Sequence, residues 1–100
     1  MEGRIEKIKP LEFEWDTGNK EKNWKKHQVD FRECEEIFSN KELKTFYDIK
    51  HSQKENRFVS LGVTDQKRRL IISFTIRNKK IRVVSARDMS RKERKLYEQK

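Results

Sequence analysis

The chain has one cysteine, one proline and three glycines in 100 residues, and each scarcity excludes something. A lone thiol, Cys34, cannot close an internal disulfide, which points to a reducing compartment and hence the cytoplasm. With only that cysteine and two distant histidines, His27 and His51, no Cys/His spacing matches a zinc site. Gly3, Gly18 and Gly62 are too scattered to build a phosphate-cradling loop. No apolar run is long enough to span a membrane, and the opening MEGRIEKIKP is charged throughout, unlike a secretory leader. The expectation is a chain with no metal, no cofactor and no membrane attachment.

Charge is what the chain has in excess. Charged residues are 43% of the sequence and hydrophobic residues 32%. Leu, Ile, Val and Phe number 24, just above the range where disorder becomes the better expectation. That allows one thin core and one domain over residues 1–100, marginally stable by itself and open to help from a partner. The net charge of +9 is unevenly spread. Residues 1–50 hold 11 Lys/Arg against 12 Asp/Glu, and residues 51–100 hold 15 against 5. A cationic second half beside a near-neutral first half suggests a polyanionic partner, most simply nucleic acid.

Hydrophobic periodicity divides the chain. Residues 1–10 read as a mobile arm or a short edge element. LEFEW (11–15) alternates as a half-buried strand. Asp16 is placed to cap a helix reaching about His27, with Trp24 as its large apolar anchor. Asp30 and Glu33 fit a capping box for a second helix over 30–40, with Phe31, Cys34, Ile37 and Phe38 on one face. From Leu43 the period becomes two, giving strands over 43–49, 57–64, 70–76 and 81–86, the last three an antiparallel meander. Ser90 and Glu93 form a second capping box, opening a helix that packs by Leu96 and Tyr97 and turns Arg91, Arg94 and Lys95 outward. The order β-α-α-β-β-β-β-α predicts an α+β domain, two N-terminal helices and a C-terminal helix on a mostly antiparallel sheet.

Basic side chains and a few proton carriers suit one reaction class, the cleavage of RNA. The ribose 2′-hydroxyl is a tethered nucleophile, so a protein need only align it, move protons and neutralise charge on the phosphate. Arginine forks suit the last task, and Arg57, Arg82 and Arg87 are the candidates. His27 is the proton carrier that residue type favours, although a histidine at a helix end also complements the helix dipole. Glu55 and Arg57 enter the third strand together. His51, in a polar loop, reads as a surface residue, and Lys67, Arg68, Arg69, Lys79 and Lys80 read as solubilising turn residues.

Taken together, FEWD (13–16), N..KH (Asn23 to His27), F.E...IF (31–38), RF (57–58), IRVVSAR (81–87) and E...YE (93–98) resemble the BrnT family, toxins of bacterial type II toxin–antitoxin systems. The resemblance spans residues 11–98 and rests on order and spacing. It implies a RelE-like ribonuclease fold and metal-independent RNA cleavage that arrests translation and growth. It also implies a DNA-binding antitoxin of the BrnA type that joins the toxin in a hetero-oligomer and represses the shared operon. By position the family's basic and histidine motifs fall on Lys26, His27, Arg57, Arg82 and Arg87, and Glu93 and Tyr97 match its C-terminal helix pattern. Joined to the reading from residue type, the expected site takes His27, Glu55, Arg57 and Arg87 for catalysis and Lys26, Arg82, Arg91, Arg94 and Lys95 for RNA, with Glu93 and Tyr97 in support. One departure is plain: the family's KHG is KHQ here, placing Gln28 where glycine would ease a left-handed helix end. Two other readings fit the same composition: a non-catalytic nucleic-acid-binding domain, or a protein-interaction subunit whose basic surface meets an acidic partner.

Overall fold

The computed structural model describes residues 2–5, 12–51 and 54–99. Six strands form one sheet in the order β1-β3-β4-β5-β6-β2. They are β1 (Glu2–Ile5), β2 (Glu12–Phe13), β3 (Lys44–Tyr47), β4 (Arg57–Val63), β5 (Arg69–Arg77) and β6 (Lys80–Asp88). The helices are α1 (Thr17–His27), α2 (Phe31–Ser39) and α3 (Arg91–Glu98). The α+β class and the antiparallel meander are as expected. Two additions come from the edges: β1 pairs antiparallel with β3, and β2 runs parallel to β6, so the sheet is mixed. Of the opening segment, Glu2–Ile5 is thus an edge strand, and residues 6–11 lie outside the described residues. The strand expected over 43–49 stops at Tyr47, and Ile49–His51 wind into a single 3-10 turn.

Local chemistry sets the element ends. Asp16 accepts from Asn19 N at 2.7 Å to open α1, and both capping boxes, Asp30/Glu33 and Ser90/Glu93, are closed in both directions. The β5–β6 hairpin turns through Asn78 and Lys79, both with positive φ, as a two-residue loop matched to strand twist requires. Gln28 takes the left-handed conformation at the end of α1 (φ 52, ψ 40) that the family's glycine would adopt freely.

Each sheet face carries its own cluster. On one face Val29, Cys34 and Ile37 pack on Leu70, Ile72, Phe74, Ile81, Val83 and Ala86. Gly62 lets α2 come close there, because a Cβ would meet Ile37 Cβ at 3.1 Å. Burial pushes the Cys34 thiol up to about 12, as befits a core residue. On the other face Tyr97 and Leu96 of α3 join Met89 against Phe46, Val59, Leu61 and Ile71.

Helix α1 departs from expectation. Trp24 does not anchor it, being 55% exposed, whereas Asn23 is 3% exposed. The reason lies in the edge of β6 beyond its short pairing with β2. Asn23 Oδ1 accepts from Ala86 N, Asn19 Nδ2 donates to Val83 O, and Lys22 Nζ donates to Val84 O. A polar helix satisfies strand-edge groups that would otherwise stand open to pairing with another chain.

Candidate functional site

The strand register lines up residues on the sheet face that carries α3. Leu61, Ile71 and Arg87 form one row, Val59, Ser73 and Ser85 the next, and Arg57, Thr75 and Arg82 the third. A bulge between the last two rows turns Arg82 and Arg87 to the same face despite their odd spacing. Helix α3 covers the first row through Tyr97 and Leu96, and its cluster does not include the third, where Thr75 is buried between half-buried Arg57 and Arg82. Arg57 and Arg82 flank Thr75 across two strand spacings, about 10 Å between Cα atoms. Both side chains are half-buried on the same face as Thr75.

The hairpin adds to this row. Arg77, two residues beyond Thr75, donates from Nε and Nη2 to Glu55 over 2.8 and 3.1 Å. That bond holds the Glu55 carboxyl below the ordinary glutamate range, and the charges of Arg82 and Arg57 act in the same direction. Glu55 is thus an ionised acceptor set among guanidinium groups. An open cleft of ≈ 580 Å³ adjoins them, lined by Lys50, His51, Lys54, Glu55, Arg57 and Arg77. A larger cleft of ≈ 670 Å³ near the end of α3, lined in part by Lys44, Arg69 and Tyr97, holds no histidine.

The structure gathers some of the predicted site residues and separates others. Glu55, Arg57 and Arg82 come together. Arg87 shares their face but lies about 13 Å along the strands. Its Nη1 and Nη2 donate to Glu93 over 2.7 and 2.8 Å, with a further bond to Asp88 O, so it ties β6 to α3. This Glu93, whose carboxyl the Arg87 bond holds low, also caps α3. Tyr97 is buried under α3, its hydroxyl without a partner among the described residues. Arg91, Arg94 and Lys95 are exposed on the outer surface of α3.

His27 is not part of the cleft. It ends α1 beside Asp88, on whose carboxyl its charge acts. Asp88 closes β6, roughly 20 Å along the strand from Arg82. The structure does not bring His27 together with Glu55 and Arg57, because α1 runs along β6 and finishes at its far end. Lys26 is exposed at that same end of α1. His27 is fixed there by Arg68, which donates to His27 O and Gln28 O and pairs with Glu33 and Asp88. Arg68 is thus a clasp joining four elements, not a solubilising turn residue.

His51 is exposed, as expected, and it also lines the cleft with Nδ1 2.9 Å from Asp48 Oδ2. The usable signal was the D-x-x-H spacing, which one helical turn folds onto a single side. Arg77 lies one residue beyond the strand expected over 70–76, and only the observed hairpin register brings it to Glu55. Among the described residues no group of three His, Cys, Asp or Glu side chains could hold a metal ion. No helix there is long and apolar enough to cross a membrane.

A search of curated proteins finds no match for the chain. A family model does match, over residues 15–93, from Trp15 through the whole cleft to Glu93. It describes the ribonuclease toxin BrnT of type II toxin–antitoxin systems. With four-fifths of its length inside that match, the chain belongs to the BrnT family of ribonuclease toxins, whose systems pair each toxin with an antitoxin.

Proposed function

We propose that this chain is a metal-independent endoribonuclease of the cytoplasm, and that RNA is bound and cut in the cleft lined by Glu55 and Arg57, with Arg82 beside it. The observation that carries the reading is the row Arg57–Thr75–Arg82, two half-buried arginines on one sheet face whose charges both act on the ionised Glu55 carboxylate at the mouth of an open cleft. Two forks can hold the non-bridging oxygens of one phosphate and offset the charge that grows as the 2′-oxygen attacks. Glu55 accepts the 2′ proton, because a carboxylate among cations is ionised and can only accept. Lys50 and Lys54 line the same cleft and guide the adjoining backbone phosphates. Arg91, Arg94 and Lys95 extend the cationic surface over α3. Arg87, Glu93 and Tyr97 act through the placement of that helix.

The resulting loss of RNA arrests translation and growth. An antitoxin of the BrnA type, with a DNA-binding domain, restrains the toxin in a hetero-oligomer that represses their operon. Helices packed on a mostly antiparallel sheet support a RelE-like fold. The exposed cations of α3 also favour an acidic segment of the antitoxin as a competitor for RNA.

The test is cleavage of matched RNA and DNA oligonucleotides with a chelator present. RNA is cut and DNA is not, since DNA lacks the 2′-hydroxyl. Arg57→Ala and Arg82→Ala each lose about 10²-fold or more, whereas His27→Ala stays within about tenfold of wild type. Cleavage that chelation abolishes, or that survives both arginine substitutions, overturns the reading.

A further inference from the structure

We propose that His51 is the catalytic proton donor to the departing 5′-oxygen, and that Asp48 is its positioning residue. The assignment rests on the ribonuclease reading of the cleft and gives that reaction its missing acid. In the step, the 2′-oxygen bonds to phosphorus as the bond from phosphorus to the 5′-oxygen breaks. The 2′ proton passes to Glu55, and the 5′-oxygen takes a proton from His51. The products are a 2′,3′-cyclic phosphate and a 5′-hydroxyl end, so atoms and charge balance without a co-reactant. Afterwards Glu55 releases its proton to water and His51 regains one.

Three observations carry this. First, His51 lines the same cleft as Glu55 and Arg57. Second, its Nδ1 stands 2.9 Å from Asp48 Oδ2. A carboxylate only accepts, so Nδ1 bears the hydrogen and Nε2 is the atom left to meet substrate. The backbone fixes Asp48 in turn, since Asp48 N donates to Arg57 O at 2.8 Å, tying the 3-10 turn to the start of β4. Third, the cleft contains two kinds of proton carrier. Arg77 keeps Glu55 ionised, which removes it as a donor. Histidine, which ordinarily titrates near neutral pH, is then the cleft residue suited to giving a proton. With its side chain 61% exposed, His51 can be replaced without disturbing the core.

The discriminating experiment alters the leaving group. At the bond that wild type cuts in an RNA oligonucleotide, the bridging 5′-oxygen is replaced by sulfur, which departs as a thiolate without a proton. His51→Gln is expected to cut the oxygen substrate about 10²-fold or more slowly than wild type, and the sulfur substrate within tenfold of it. Asp48→Asn should show the same split as His51→Gln, slow on the oxygen substrate and within tenfold of wild type on the sulfur substrate, which a merely structural role for Asp48 would not produce. An equal loss on both substrates, or no loss on the oxygen substrate, overturns the role given to His51. Arg57→Ala reports separately on the cleft: it loses activity on both substrates if RNA is cut there. If Arg57→Ala instead cuts both like wild type, or wild type cuts neither, the ribonuclease reading of the cleft fails and the assignment falls with it.

Discussion

Replacing Arg87 or Glu93 by alanine removes the bidentate pair between β6 and α3. The Glu93 carboxylate accepts three donors, the two Arg87 nitrogens and Ser90 N. Glu93→Ala therefore loses both the pair and half of a capping box, about 2 kcal/mol together. Arg87→Ala loses the pair alone, about 1 kcal/mol, set at the top of the surface range because Glu93 is sheltered and discounted from buried values because the Arg87 side chain is 42% exposed. The double variant should cost no more than Glu93→Ala, a coupling of about 1 kcal/mol. Equilibrium unfolding in urea reads this, each kcal/mol also lowering Tm by about 4–8 °C. The Glu93 carboxyl is held below its ordinary range chiefly by the Arg87 bond. The pair thus stabilises the fold fully above the unfolded carboxyl value of about 4.3 and loses that contribution as pH falls through the lower folded value. At a temperature where all variants are folded, Arg87→Ala should cut RNA within about tenfold of wild type. Additive single variants would refute the coupling. A hundredfold loss of cleavage with stability intact would show that the Arg87 guanidinium belongs to the chemistry.

Two further outcomes follow from the backbone and the core. Gln28→Gly should stabilise the chain by about 0.5–1 kcal/mol and raise Tm by a few degrees, because a side chain in the left-handed region costs about 1 kcal/mol. A lower Tm would mean that the Gln28 bond to Lys25 O matters more than the strain. Cys34, its thiol pushed up to about 12, should react with a thiol-specific reagent at pH 8 at least 100-fold more slowly in the native chain than in urea. Rapid labelling of folded protein would contradict the buried placement.

What the sequence disclosed is what short-range rules govern. Asp30/Glu33 and Ser90/Glu93 are local reciprocal caps and appear as expected. Strands β4 to β6 follow a period of two with tight turns, so a one-residue slip would have exposed their core side. What stayed hidden depends on register and on free edges. Whether Trp24 or Asn23 faces inward cannot follow from apolarity, because α1 meets hydrogen-bonding groups of β6 and not an apolar surface. Arg82 and Arg87 share a face only through the β6 bulge, which no residue type announces. His51 and Glu55 share one connection whose composition is merely polar, and residue type favours His27 without giving any distance to Glu55 or Arg57.

The place of α3 explains why charge gathers in the second half. Strands β4 to β6 present one face with two unlike ends. Where Leu61 and Ile71 lie, an apolar helix side is needed, and Tyr97 and Leu96 supply it. Where Arg57, Thr75 and Arg82 lie, no helix arrives, and cations stand together at a cost in self-repulsion. Acidic residues moderate that cost without cancelling it: Glu55 lies beside Arg77, Glu93 beside Arg87, and Asp88 with Glu33 beside Arg68. The first of these pairs sits in the open cleft, while the other two tie elements together. Arg82 forms no ion pair among the described residues, and the RNA proposed above would supply its counter-charge. A helix displaced toward Arg57 would cover the row proposed to bind phosphate, so the Arg87–Glu93 tie and the burial of Tyr97, which hold α3 over Leu61 and Ile71, also keep it off that row.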